Sequence, residues 1–165
     1  MNPTQPIGKI LVPVDFSSYS QSTIDYASMI AEKFDATLIL LHVIESLPYS
    51  VTDTFKVIAH RNSLQTLATS LLQNLSESLL ARKLAVKTRL VWGTASREIL
   101  SEARREKPDL IVMGTHGRTG LPHVVMGSVA EKTVRLSRVP VLTVPLTTRS
   151  GKKRARSSRT SSGSQ

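Results

Sequence analysis

The sequence predicts an α/β fold: a five-stranded parallel sheet, doubly wound, with helices on both faces. Three observations carry this. Short apolar runs with no polar face, such as KILVPV at 9–14 and TLILLHV at 37–43, read as strands buried on both sides. Stretches with apolar residues at helical spacing separate such runs, and the alternation repeats through the chain. A further apolar run then delivers a glycine-rich loop to the start of a helix, in DLIVMGTHGRTGLPHVVMGSVAEK at 109–132.

Taken in order, the first strand ends at Asp15, and Ser17 or Ser18 can cap a helix running to about residue 34. Ile24, Ala27, Ile30, Ala31 and Phe34 form its inward face. The second strand follows, then a polar connection over 45–53 that contains Pro48. A long helix to about residue 83 carries Leu64, Leu67, Ala68, Leu71, Leu72, Leu75 and Leu79 in a stripe wide enough to pack on a sheet. Its opposite face holds Gln65, Thr69, Gln73, Ser76 and Glu77. VKTRLVW at 86–92 alternates apolar and polar, as a strand at a sheet edge with one face near solvent does. Gly93 ends it, and a short helix over about 95–107 turns Ile99, Leu100 and Ala103 inward until Pro108 stops it. Residues 110–113 make the fourth strand, a helix spans about 128–136, and VLTV at 141–144, between prolines, is the fifth strand. The commonest winding of such a chain is Rossmann-like, in the order 3-2-1-4-5, with strands one and four side by side where the winding reverses. The Asp15 loop and the Gly114 loop then face each other across a crevice.

Composition narrows the function. At 165 residues and 40% apolar content the chain suits one folded domain, expected over 1–148. It has no cysteine, so disulfides and thiolate metal sites are excluded. The N-terminal residues lack the apolar run of a signal peptide, and no stretch approaches the ~20 apolar residues of a membrane helix, so a cytoplasmic location is expected. The net charge of +10 is largely a tail property. Six of the basic residues and no acidic ones lie in RSGKKRARSSRTSSGSQ at 149–165, leaving +4 for the rest. That segment, nearly without apolar residues, is expected to be disordered. It reads either as a solubilising end or as an arm for weak electrostatic contact with nucleic acid or an anionic surface. Aromatic residues make up only 4% of the chain, little material for stacking on bases.

The chemistry concentrates in Gly114-x2-Gly117-x9-Gly127-Ser128. Gly114 lets the chain turn off its strand, and Gly117 lets the backbone approach a bound group. Gly127 and Ser128 offer N–H donors and a hydroxyl at a helix start, where the dipole favours phosphate. Arg118, His116 and His123 add positive charge nearby. Neither G-x-x-x-x-G-K-[ST] nor G-x-G-x-x-G after the first strand occurs, which argues against a P-loop ATPase or a classical dehydrogenase. Asp15 suits two roles, a helix cap and an acceptor for ribose hydroxyls. His42, inside an apolar strand, reads as a hydrogen-bonded structural residue. His116 and His123 read as exposed loop residues, since no nucleophile or orienting carboxylate completes a catalytic set. Metal ligands are not assignable.

These residues resemble the universal stress protein family over roughly residues 7–145. The likeness rests on KILVPVDFS, LLHVIE, DLIVMGTHGRTG, the spaced MGS and VPVLTVP, and the glycine spacing matches the family's ATP-binding branch. The resemblance implies ATP as ligand, with or without Mg2+. It implies that Pro13, Val14 and Asp15 line the ribose and adenine side, that Val43 meets the adenine through its backbone, and that Met113 packs on the base. Gly114, Gly117, Gly127, Ser128 and Val129 would hold the phosphates, with Arg118 beside them. It further implies a homodimer joined through the last strand, for which the apolar edge VLTV is an independent reason, because an open apolar edge needs cover. The expected function is nucleotide-dependent regulation in stress response, with at most weak ATP hydrolysis or autophosphorylation; a dimeric scaffold with a nucleic-acid-binding tail is the other reading.

Overall fold

A computed structural model describes residues 6–17, 20–45, 54–115 and 126–145, with the side chains of 54–57 excepted. The order is β1 (Lys9–Pro13), α1 (Ser20–Phe34), β2 (Thr37–Ile44), α2 (Thr54–Leu80), β3 (Val86–Trp92), α3 (Ala95–Glu106), β4 (Leu110–Gly114), α4 (Ser128–Leu136) and β5 (Val141–Val144). All strand pairs are parallel, and the sheet runs β3-β2-β1-β4-β5 as expected.

The strands are apolar on both faces because helices cover both. Ile10, Val12, Leu38, Leu40 and Val112 point to one side, where Ile24, Ala27 and Ala31 of α1 and Leu72 and Leu79 of α2 close over them. Leu11, Ile39, Leu41, Ile111 and Met113 point to the other, under Ile99 and Ala103 of α3 and Ala130 of α4. Alternate residues thus belong to different cores, the period-two rule of a strand.

The edge strand has the solvent-near polar face that its alternation predicts. Lys87 is exposed and Arg89 half-buried, and both are paired with α3. Lys87 Nζ donates to Glu106 Oε2 at 2.8 Å and Arg89 Nε to Glu102 Oε2 at 3.1 Å, so α3 covers this face of β3 with ion pairs in place of apolar contacts. Arg105 also reaches Glu102, at 2.7 Å, which satisfies a carboxylate whose residue is only 4% exposed.

Two helix faces are narrower than their spacing predicts. On α2, Ala68, Leu72 and Leu79 are buried and Leu64 and Leu75 half-buried, whereas Leu67 and Leu71 are exposed. The sheet covers one flank of a helix, and the apolar stripe extends round to a flank it does not reach. On α1, Phe34 is exposed and Ile30 half-buried, since Phe34 ends the helix just before Asp35 turns the chain in the left-handed region at φ 53°. Leu100 of α3 is likewise half-buried, and α3 ends on a left-handed Lys107 one residue before Pro108.

The N-terminal ends of β1 and β4 are tied by a side chain. Asp109 Oδ2 accepts the N–H groups of Gly8 at 2.9 Å and Lys9 at 3.0 Å. Ser18, the 45–53 connection apart from Glu45, residues 116–125 with His116, Gly117, Arg118, Gly120 and His123, and the 149–165 tail lie outside the described residues. No helix of the described residues is long and apolar enough to cross a membrane.

Candidate functional site at the C-terminal strand ends

The sheet parts along one seam. β1 and β2 stay in register to Pro13↔Leu41, and β4 and β5 to Gly114↔Val144, yet β1 and β4 pair only through Leu11↔Ile111. The two halves therefore diverge at the C-terminal ends of β1 and β4, where the winding direction reverses and a crevice forms.

On the β1 side, Asp15 lies half-buried at the entry to α1. Its Oδ1 accepts from the Ser17 N–H at 3.0 Å, from Ser17 Oγ at 2.7 Å and from Ser20 Oγ. These bonds tie the turn ahead of α1 to the hydroxyl of its first residue, Ser20, and involve no backbone N–H of the helix. Phe16 takes φ 57°, and its ring packs against His42 with centroids 4.5 Å apart. His42 is buried with Nδ1 2.7 Å from the Val14 carbonyl oxygen. A carbonyl only accepts, so Nδ1 carries the proton. His42 is the hydrogen-bonded structural histidine its context predicts, and it anchors the loop that presents Asp15.

The resemblance-derived residues separate by face. Val14 is buried in the core under α1 and α2, and its N–H donates to the Leu41 carbonyl at 2.8 Å. Its side chain is therefore turned from the core that holds Met113 and Val43. Pro13 ends β1 and is half-buried. Met113 is buried on the α3/α4 side, with Val43, Met126 and Val129 packed around the same cluster.

Backbone parity gives Val43 a different importance. The N–H and C=O of one residue in a parallel strand address the same neighbour, and those of the next residue address the other. Leu41 accepts from Val14 on the β1 side, while Ile44 accepts from Gly93 on the β3 side at 3.1 Å. Both Val43 groups thus face the β1 side, where β1 has already ended at Pro13.

Across the seam, Gly114 does not turn the chain. It is the last paired residue of β4, and Thr115 continues the ladder by donating to the Val144 carbonyl at 3.0 Å. Gly127 returns beside it, its N–H donating to the Thr115 carbonyl at 2.7 Å, and forms the N-cap of α4 at φ −68° and ψ 152°. The first intrahelical bond runs from the Glu131 N–H to Gly127, so the N–H groups of Ser128, Val129 and Ala130 lack helical partners. Gly127 has no side chain with which to cap this end. At the start of α3, by contrast, the Ala95 N–H donates to Glu45 Oε1 at 3.3 Å. Among the described residues, no carboxylate is bonded to the start of α4 as Glu45 is to that of α3. No three His, Asp or Glu side chains converge as metal ligands among those residues.

This is a doubly wound α/β protein of the kind whose ligands enter at the C-terminal strand ends. The model of the universal stress protein family matches residues 6–145. Universal stress protein MJ0531 of Methanocaldococcus jannaschii is 34% identical over 143 residues, covering 82% of this chain and 81% of that protein. The solved structure of MJ0577, described as a hypothetical protein whose biochemical function was assigned from structure, superposes with a TM-score of 0.73 at 30% identity, covering 86% of this chain and 97% of that one. Universal stress protein UspA from Lactobacillus plantarum shares the fold with a TM-score of 0.77 at 24% identity, over 85% and 99% of the two chains. The fold recurs in a universal stress protein in complex with cAMP, with a TM-score of 0.66 at 22% identity over 87% and 100% of the chains. It recurs in an Arabidopsis thaliana family protein with AMP bound, at 0.62 and 21% over 86% and 93%. The chain belongs to the universal stress protein family.

Proposed function

We propose that the chain binds an adenine nucleotide, ATP foremost, in the crevice between β1 and β4, and acts as a nucleotide-dependent regulator in stress response without rapid turnover of ATP. The observation that carries this is the end of α4. It combines N–H donors without helical partners and an N-cap at φ −68° that, being glycine, has no side chain to cap them. Any residue adopts that backbone conformation, so strain does not call for glycine there; close approach of a ligand's phosphates does.

The remaining parts suit a nucleotide. The Val43 N–H and C=O match the donor–acceptor edge of adenine, Met113 and Val43 supply apolar surface for the base, and Asp15 stands where ribose hydroxyls would come. Gly114, Gly117, Arg118, Ser128 and Val129 complete the phosphate side, while Pro13 and Val14 shape the turn that carries Asp15. The cAMP- and AMP-bound members of the fold support an adenine ligand. We assign homodimerisation to β5, whose outer edge is unpaired among the described residues and whose Leu142 is exposed.

Calorimetry on the full chain tests the reading. Gly117→Val and Gly127→Val are expected to abolish ATP binding while circular dichroism stays unchanged. Wild-type affinity in both variants would overturn it.

A further inference from the structure

We propose a second ligand site at the opposite end of the sheet: the groove between the C-terminal ends of α3 and α4, which takes a small anionic amphiphile, a carboxylate with an aliphatic or aromatic body. The groove has a volume of about 520 Å3, the scale of a small-molecule pocket. Leu100, Ala103 and Val139 contribute apolar lining, and Arg104, Lys107 and Arg138 contribute three cations.

The charges are unbalanced there. The groove's own carboxylate, Asp109, turns Oδ2 to the backbone N–H groups of Gly8 and Lys9. Arg105, next in sequence to Arg104, is drawn away by Glu102 at 2.7 Å and Glu106 at 3.5 Å. Arg104, Lys107 and Arg138 form no ion pair with a carboxylate of the described residues. Cations near helix C-termini are favourable in themselves. That accounts for Arg104 and Lys107 on α3, but it gives no reason for an apolar lining beside them or for Leu136, 58% exposed on the groove's wall. An occupant with an apolar body and one negative charge satisfies both. A half-open concavity of this size suits a small molecule better than a membrane, which meets a convex or flat face.

The site is separate from the nucleotide crevice. α4 has nine residues, so its Gly127 end and its Leu136 end are about 13 Å apart. The inference does not rest on the nucleotide reading.

The test uses the full chain with sodium octanoate and its uncharged counterpart 1-octanol, followed by calorimetry and 15N-resolved NMR. Octanoate is expected to saturate one site, at least tenfold tighter than octanol, with shifts centred on Leu100, Ala103, Lys107 and residues 136–139. Arg104→Glu with Arg138→Glu is expected to weaken octanoate at least tenfold and leave octanol within twofold. Lys33→Glu, an exposed charge reversal on the opposite sheet face, is expected to change neither. Equal binding of the two probes, non-saturating shifts, shifts centred elsewhere, or undiminished octanoate affinity in the double variant would each overturn the proposal. If the double variant unfolds, Arg104→Gln and Arg138→Gln singly, with the wild-type shift map, decide on the same criteria.

Discussion

The N–H of Gly127 donates to the carbonyl of Thr115 at 2.7 Å and so brings the start of α4 back against the end of β4, across the whole of residues 116–126. A backbone bond does not require glycine at either end. Gly127→Ala retains the N–H and accepts φ −68° and ψ 152° without strain. Its unfolding free energy is expected to fall by about 1 kcal/mol, since alanine is a poorer N-cap than glycine, with the fold retained. ATP affinity, read by calorimetry, is expected to fall at least tenfold because the methyl stands where phosphate approaches.

Ser28 of α1 is fully buried, and its Oγ has no hydrogen-bond partner among the described residues. A buried hydroxyl without a partner retains its desolvation cost, and alanine is the better helix former. Ser28→Ala is expected to stabilise the fold by about 1 kcal/mol, measured as a raised urea midpoint with an unchanged slope.

Gly93 carries the turn from β3 into α3 at φ +152°, a region side chains avoid, and an added Cβ would stand 2.6 Å from Glu98 Oε1. Gly93→Ala is expected to cost about 1–3 kcal/mol. The Glu98 side chain is flexible, so adding Glu98→Ala removes the clash and leaves the backbone strain. Thermal melts of the single and double variants separate the two: partial recovery is expected, and full recovery would show that the backbone is unstrained.

Glu106 is held below the usual carboxylate range, first by the hydrogen bond from Lys87; desolvation opposes this, and the charges of Lys87, Arg89 and Lys9 add to the lowering. A carboxylate depressed in the folded state contributes stability that is complete above its unfolded value, about 4.3, and is lost as pH falls through the lower folded value. Urea midpoints of wild type and Glu106→Gln are therefore expected to differ by a constant amount above about pH 5 and to converge in stronger acid. A gap that persists unchanged into acid would mean that the Glu106 charge is not its source.

The strand and helix sequence was legible because periodicity is local. KILVPV and TLILLHV carry their burial on both faces in the residues themselves, and 86–92 shows its edge position by alternation. Right-handed winding then left the 3-2-1-4-5 order as the commonest solution, and the structure has it. Local spacing also marked the helix start at Ser128, since a glycine before an apolar-periodic stretch signals a terminus. It overstated α2, where Leu67 and Leu71 have the right spacing but lie on a flank the sheet does not cover.

What the tertiary structure alone decided are the relationships between residues far apart in the chain. The Asp109 carboxylate meets Gly8 and Lys9 across a hundred positions, Glu45 accepts from the first N–H of α3, and among the described residues no comparable carboxylate is bonded to the start of α4. Val14 falls on the opposite core from Met113 and Val43, and both backbone groups of Val43 come to face the side where β1 has ended. The sequence by itself determined which elements form and that a glycine-rich loop meets a helix start. Which donors are left open there depends on which distant side chains arrive, and packing of the sheet sets that.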